Sequence, residues 1–494
     1  MLYYPEEEKN NVKGEPVMEK QAVIGVVGLA VMGENLALNL ANHNFRTAVY
    51  NRTASRVDDF ISGRGAGKPV VGCRTIEEFT AALETPRKIL LMVKAGAPVD
   101  ACIAELLPHL QPGDIVMDGG NSFYLDTVRR ERELKKQGIL YLGVGISGGE
   151  EGALNGPSLM PGGNRDGWPA VEPILKTIAA QVDGVPCCEW VGPEGAGHFV
   201  KMVHNGIEYA DMQLIAEAYG YMRDALKFDN EKIHRIFSNW SRGELAGYLL
   251  DITSDIFTFK DPESGALLLD KILDVPGQKG TGRWTSAAAL ETGTPAPTLT
   301  QAVFQRSLDA DKELRIRGAQ LLPGAAPDES DPMTADEIAE EISALESALY
   351  CSKLCAYAQG FALLKAAERE YGWPLNYGEL ALLWRGGCII RARFLNDIKA
   401  AYDREPGLEN LMFDEFFRDA VKRRQDGWRY AVAASALFGA AMPATASALG
   451  YYDSIRRADS PSNLIQAQRD YFGAHTFERK DRLRGEFFHN NWTH

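Results

Sequence analysis

A strand, a glycine turn and a helix follow one another without interruption in "AVIGVVGLAVMGENLALNLANH", residues 22–43. Ala22 to Val27 form a β-branched apolar run, and Leu36, Leu38 and Leu40 carry a helical pattern beyond the turn. The turn reads Gly28-x-Ala30-x-x-Gly33, a dinucleotide fingerprint whose middle glycine is alanine. Gly28 permits the tight turn, small Ala30 lets the backbone approach a pyrophosphate, and the helix beyond offers N–H donors and a positive dipole end. Leu29, Val31 and Met32 complete the turn and are assigned with it to the cofactor contact. A chain that begins this way builds a doubly wound, mostly parallel α/β sheet and binds a dinucleotide at the first turn.

The second strand, "TAVYNR", ends in Asn51-Arg52-Thr53, where an NAD enzyme places a carboxylate for the ribose 2′-hydroxyl. A carboxylate there would repel a 2′-phosphate. The Arg52 guanidinium pairs with one in a fork, and Asn51 and Thr53 donate to it, so the expected cofactor is NADP. Further strands are expected at 88–93, 114–118 and 139–143, with helical patterns between them. Their carboxyl ends carry "VKAG" (Val93, Lys94, Ala95, Gly96), "DGGNS" (Asp118 to Ser122, including Asn121) and "SGGEEGALNGPSLMPGG" (Ser147, Gly148, Gly149 and on to Gly163). One such cluster could be a turn and nothing more; three at successive strand ends form a rim.

Strand-like runs largely vanish after Gly195, and helical patterns take over, as at 205–226, 335–371 and 429–449. The chain therefore divides into an extension without periodicity (1–18), a Rossmann-like domain (19–195), a large all-α domain (196–453) and a C-terminal tail (454–494). Thr334 and Glu337 have capping-box spacing after the loop at 321–332. "PGQKGTGRWT" (276–285), with Lys279 and Thr281, reads as a glycine-rich loop before a helix that carries Arg306. The tail is rich in aromatic residues and poor in helical pattern, and such apolar side chains need a neighbour, so it is expected to pack into another subunit.

On the first helix of the α domain, "KMVHNGIEY" places Lys201, His204, Asn205 and Glu208 at i, i+3, i+4 and i+7, on one face. A polar stripe is usually the wet side of a helix. Here Phe199, Val200, Met202, Val203, Ile207 and Tyr209 cover most of the remaining circumference, so the helix is expected to be buried, with its polar face against a site.

The formal charge of −14 argues against nucleic acid or an acidic membrane as a partner, so cations for a small anionic ligand must be concentrated locally. No run of about 18 apolar residues appears, and the first twenty residues have no signal-peptide core; a soluble, cytoplasmic protein is expected. Seven cysteines without C-x-x-C spacing fit reduced thiols, and scattered histidines give no metal-ligand set, so no metal is expected.

The motifs "GLAVMG", "NRT", "VKAG", "DGGNS", "SGGEEGA" with "GPSLMPGG", "KMVHNGIEY", "KGTGRWT", "LWRGGCIIR" and "RDYFGAHT" stand in the order of a known family. From about residue 20 to its end the chain resembles the NADP-dependent, decarboxylating 6-phosphogluconate dehydrogenases of the pentose phosphate pathway. The resemblance implies a homodimer whose tail threads into the partner. It implies Lys201 as general base and Glu208 as proton donor, with Asn121, Ser147, Gly148, Gly149, His204, Asn205, Tyr209, Lys279, Thr281 and Arg306 around the substrate, and Arg469 and His475 supplied in trans. Asn155 stands where many relatives have an aromatic residue, a departure expected to alter loop packing and leave the chemistry alone. Two other readings stay open. A non-decarboxylating β-hydroxyacid dehydrogenase would share the turn and a helix-borne lysine but leaves the phosphate-binding cations and Glu208 unexplained, and a silent NADP-binding protein would be expected to have lost Lys201, Asn205 or Glu208.

Overall fold

The structure, a computed structural model, describes residues 21–325 and 333–492; the extension at 1–18 and part of the loop at 321–332 lie outside them. The N-terminal domain runs β1 (Ile24–Val27), α1 (Val31–Asn42), β2 (Thr47–Tyr50), α2 (Ala54–Ser62), β3 (Val70–Cys73), α3 (Ile76–Ala81), β4 (Lys88–Leu91), α4 (Ala97–Leu106), β5 (Ile115–Asp118), α5 (Tyr124–Lys135), β6 (Leu140–Ser147), α6 (Gly149–Asn155), β7 (Ser158–Gly163) and α7 (Trp168–Ile178). The strands form one sheet in the order β3-β2-β1-β4-β5-β6-β7, parallel throughout except for β7. β1, β4 and β5 are buried along their whole length, as central strands covered by helices on both faces must be. A short hairpin of β8 (Gln181–Val182) and β9 (Val185–Pro186) follows.

Gly195 caps α8 (Ala196–Gly220), the helix that joins the sheet to the α domain. It is followed by α9 (Asn230–Trp240), α10 (Tyr248–Ile256), α11 (Thr281–Glu291), α12 (Pro297–Ala310), α13 (Lys312–Leu321), α14 (Ala335–Tyr371), α15 (Tyr377–Leu383), α16 (Leu395–Arg404), α17 (Glu415–Phe438) and α18 (Pro443–Ile455). α8 and α14 form the axis of one continuous apolar core, tied at its centre by a buried ion pair, Lys353 Nζ to Asp211 Oδ1 at 2.7 Å. α14 begins with the expected capping box: Thr334 Oγ1 accepts the Glu337 N–H (3.3 Å), and Glu337 Oε2 accepts the Thr334 N–H (2.7 Å). The tail holds α19 (Ser462–Gly473) and a ribbon of β10 (Phe477–Glu478) with β11 (Phe487–Phe488).

Several expectations need correction. "SLMPGG" is no rim loop: it is β7, fully buried and paired antiparallel with β6. β3 was not among the expected strands, and it pairs with β2 at the sheet edge. The pattern at 429–449 divides between α17 and α18, because Gly439 takes φ +69° and Pro443 opens a new helix. The pattern at 205–226 belongs to α8, which starts at Ala196 and closes in a single π turn at 221–225. The loop at 276–285 ends early, since Thr281 already starts α11. The tail contains a helix, α19, and the division at 453/454 falls within the last turn of α18.

Glu131 on α5 lies at the junction between the domains, where its Oε2 is buried without a hydrogen-bond partner. Burial first, and then the Glu194 charge, push its carboxyl up to about 7, against the pull of Lys135 and Arg132. The folded chain thus holds a proton there that the unfolded chain, with its lower carboxyl pKa, releases, so stability falls as the pH rises towards about 7. Glu131→Gln should therefore unfold at a higher temperature than the parent at pH 8 and no differently at pH 4, a gain of about 1–2 kcal/mol after allowance for solvent screening. Equal melting curves at pH 8 would contradict this.

Candidate active site

The cofactor cleft opens at the carboxyl ends of β1, β2 and β4. Gly28 takes φ +100°, a conformation that a side chain would strain, and a Cβ on Gly33 would lie 1.9 Å from the Gly28 carbonyl oxygen. The turn is thus pressed directly onto the start of α1, which leaves the helix N-terminus open to a pyrophosphate. A cavity of about 690 Å³ follows, lined by Gly28, Ala30, Asn51, Arg52, Thr53, Val93 and Lys94 among others. Asn51 Oδ1 accepts the Leu29 N–H (3.0 Å), which ties the second strand's end to the turn. Arg52 and Thr53 are exposed at its mouth. Of the residues expected here, Leu29, Val31, Met32, Gly33, Ala95 and Asn121 are absent from the cavity wall.

Sequence reasoning missed two features of this cleft. Arg56 also lines it, and its Nη1 donates to the Leu29 carbonyl (3.1 Å); its place in the first turn of α2, just after Arg52, was the available signal. The second is a buried network that ties the two loops of the rim. Arg130 donates to the Gly96 carbonyl (3.0 Å) and to both Asp100 oxygens (2.8 and 3.0 Å), and it reaches Asp118 Oδ2 at 3.5 Å. Asp118 accepts from Ser122 Oγ (2.6 Å) and the Gly120 N–H (3.0 Å), which fixes the loop that holds exposed Asn121.

The polar face of α8 is buried beside this rim. Gly145 on β6 makes room for it, since a Cβ there would lie 2.5 Å from Lys201 Cβ. Lys201, His204 and Asn205 are 5%, 0% and 8% exposed, so this is no wet helix face. His204 Nδ1 lies 3.4 Å from Lys201 Nζ, 3.1 Å from Asn205 Oδ1 and 3.7 Å from Glu208 Oε2, and its Nε2 lies 3.3 Å from Ser147 Oγ. Asn205 Nδ2 donates to Thr281 Oγ1 (3.3 Å) at the start of α11. Ser147 closes β6, and Gly148 and Gly149, both with positive φ, lead into α6. The Trp384 ring packs edge-on against His204 at 5.7 Å, a contact carried by "LWRGGCIIR".

Burial lowers the Lys201 pKa, while the Glu208 charge pulls it up. No cation contributes to the lowering, and desolvation does the work. Burial likewise raises the Glu208 pKa, against Lys201 and Arg306. His204 is held well below its usual range by burial and by the Lys201 charge, so it is neutral. The pair therefore sits with an amine biased towards its free base and a carboxyl biased towards its acid.

Tyr209 carries Arg306 stacked on its ring at 3.8 Å, on the Glu208 side of the face. Lys279 lines a separate opening of about 300 Å³ with Gln278, Gly280 and Arg283, next to the N-terminus of α11. Arg469 and His475 are exposed on the tail, and Arg469 Nη1 reaches Gln466 Oε1 (3.3 Å) within α19. Asn155 ends α6 exposed.

A dinucleotide cleft that opens beside a buried lysine and a half-buried carboxyl defines an oxidoreductase, and the relatives make it an NADP-dependent one. The NAD binding domain of 6-phosphogluconate dehydrogenase matches residues 23–192, and the 6-phosphogluconate dehydrogenase C-terminal domain matches residues 197–492. The NADP(+)-dependent, decarboxylating 6-phosphogluconate dehydrogenase of Bacillus subtilis (strain 168) is 54% identical over 96% of this chain and 100% of its own. The decarboxylating 6-phosphogluconate dehydrogenase of Ovis aries is 51% identical over 96% of this chain and 97% of its own. The solved structure of the Plasmodium falciparum enzyme superposes with a TM-score of 0.90 at 42% identity, over 95% of this chain and 100% of that one. The chain belongs to the 6-phosphogluconate dehydrogenase family.

Arg52, which lines the cleft where the second strand ends, is the candidate for the choice between NADP and NAD. Arg52→Asp should weaken NADP⁺ binding by about 10- to 100-fold, the worth of one or two charge-assisted hydrogen bonds, and leave NAD⁺ binding little changed. Titration of both cofactors by fluorescence quenching measures this; an unchanged NADP⁺ affinity would remove Arg52 from the 2′-phosphate.

Proposed function

We propose that the chain oxidises 6-phosphogluconate at C3 and releases ribulose 5-phosphate and CO₂, with NADP⁺ reduced to NADPH. The observation that carries this is the single buried helix face on which Lys201, His204, Asn205 and Glu208 stand beside the cofactor rim.

The cleft fits NADP: the bare Gly28–Gly33 turn admits a pyrophosphate, and Arg52 with Thr53 meets the 2′-phosphate. NADP⁺, when bound, supplies the hydride acceptor. Neutral Lys201 takes the C3 hydroxyl proton as the C3 hydride leaves, and C3 becomes a carbonyl. The product is a β-keto acid. The Lys201 ammonium then returns its proton to the C3 oxygen while the C1–C2 bond breaks, CO₂ departs, and the bonding pair becomes the C2–C3 double bond of an enediol, whose C3 hydroxyl proton Lys201 takes back when the carbon is protonated. His204 and Asn205 bind and orient the hydroxyls along this face. The enediol is protonated at the carbon that becomes C1 of ribulose 5-phosphate, and Glu208 serves as that acid. It stands two turns, or about 10 Å of rise, from Lys201, so the two address opposite ends of the reacting fragment.

The phosphate is held by Lys279, Thr281 and Arg306, with Arg469 and His475 from a second copy of the chain. Exposed apolar side chains support that pairing: Leu290, Phe304 and Leu308 on α11 and α12, and Leu464, Phe472 and Phe487 on the tail, need a neighbour that the described residues of one chain do not provide. An assay that follows NADPH absorbance and released CO₂ together, with NAD⁺ in parallel, tests the whole reading. Equal NADPH and CO₂, with little NAD⁺ turnover, is the expected result. NADPH without CO₂ would make the chain a simple hydroxyacid dehydrogenase.

A further inference from the structure

The tail after α18 folds around one carboxylate. Asp470 is 0% exposed, although the residues around it, among them Arg469, Tyr471 and Phe472, are exposed. Its Oδ1 accepts the Thr476 N–H (3.0 Å) and lies 2.9 Å from His489 Nδ1; its Oδ2 accepts the Trp492 indole N–H (2.8 Å) and the Asn490 N–H (3.2 Å). Burial alone would push this carboxyl up, yet the donors around it hold it down to about 2, so it is an anion throughout the neutral range.

What the carboxylate holds is a strained turn. Ala474 and Thr476, on either side of His475, have φ of +49° and +60°. Positive φ is uncommon outside glycine, and for a β-branched residue such as threonine it is an outlier that persists only where its surroundings fix it. The fixing bonds are visible. Asp470 binds the Thr476 N–H through its side chain and the Ala474 N–H through its own carbonyl (2.9 Å). Gln466, one turn earlier on α19, donates from Nε2 to the Thr476 carbonyl (2.5 Å) and accepts from Arg469 Nη1 through Oε1 (3.3 Å). Gly473 leaves the space that His475 fills, since a Cβ there would lie 2.7 Å from the His475 Nε2.

We infer that Asp470 is a positioning residue for substrate binding: with Gln466 it locks the 473–476 turn so that Arg469 and His475 are presented together as a preformed pair of donors for a phosphate monoester. Preorganisation of this kind removes the ordering cost that a loose tail would incur on each binding event. The inference rests on the proposed reading that Arg469 and His475 bind the substrate phosphate.

The test uses the full-length enzyme. Asp470→Asn leaves two of the N–H groups facing an amide that cannot accept from them, and it should raise KM for 6-phosphogluconate about tenfold or more, with kcat and the KM for NADP⁺ within about twofold. Gln466→Leu should shift KM in the same direction by less. Ala474→Gly, whose φ glycine adopts freely, should leave KM unchanged. Arg469→Ala and His475→Ala are measured alongside. If these two leave KM unchanged, the tail does not read the substrate and the positioning role falls with that assignment. If they raise KM while Asp470→Asn and Gln466→Leu do not, the assignment stands and the positioning role is overturned. Should Asp470→Asn fail to fold, Gln466→Leu decides on the same KM readout.

Discussion

Lys201→Met should leave an enzyme that binds NADP⁺ as well as the parent and reduces it at least about 10³-fold more slowly. The substitution keeps an unbranched apolar stem out to Cε, with sulfur in place of Cδ, and removes the amine, so α8 should pack as before; Lys201 is 5% exposed and its Cβ is already fitted against Gly145. The loss falls on chemistry. A positioned base is worth about 10²–10⁴-fold, and here the same nitrogen is asked both to accept the hydroxyl proton and to polarise the resulting carbonyl, so a fall in kcat of at least about 10³-fold is expected. The parent's pH profile should carry the same signature. With the amine proposed to work as a free base, kcat/KM should fall on the acid side as Lys201 is protonated, at a pH below that of an ordinary lysine because burial lowers its pKa. Substantial NADPH production by the Lys201→Met protein, or an acid limb unchanged in a slower variant, would take the base role away from this residue.

Much of this site was legible in the sequence because it is written on single elements. The strand, turn and helix of β1 and α1 declare themselves over twenty consecutive residues, and the α8 stripe follows from helical spacing alone. The capping box of α14 is likewise local. What was not legible depends on distant pairing. "SLMPGG" has the composition of a loop, and only the register of β7 against β6, Ser147 opposite Ser158, makes it a strand. α19 is short and ends in a turn held by Asp470 through donors as far away as Trp492, which no window of local pattern contains. Arg130 reads as one more charge on an amphipathic helix until Gly96 and Asp118 are brought to it. Burial moves Lys201 down and Glu208 up, and that burial was readable from the apolar residues that flank the α8 stripe.

Glu208→Gln separates the last step from the first two. The amide has the size of the protonated carboxyl and keeps the environment in which Glu208 lies 3.7 Å from His204, but it has no acidic proton to give. Burial raises the Glu208 pKa, so the parent carboxyl holds its proton to higher pH than an exposed glutamate would. Oxidation and decarboxylation draw on Lys201 and should survive the change, whereas enediol protonation should slow by at least about 100-fold. In the steady state that appears as a collapsed kcat. In the first turnover it appears as a burst, and rapid mixing of Glu208→Gln with excess NADP⁺ and 6-phosphogluconate, read by NADPH absorbance and quenched for CO₂ and ribulose 5-phosphate, resolves it. One equivalent each of NADPH and CO₂ per site, followed by a stall before ribulose 5-phosphate accumulates, is the outcome expected of a lysine base and a separate carboxyl acid on one helix face. Loss of the NADPH burst together with turnover, or turnover at the parent rate, would contradict that division of labour.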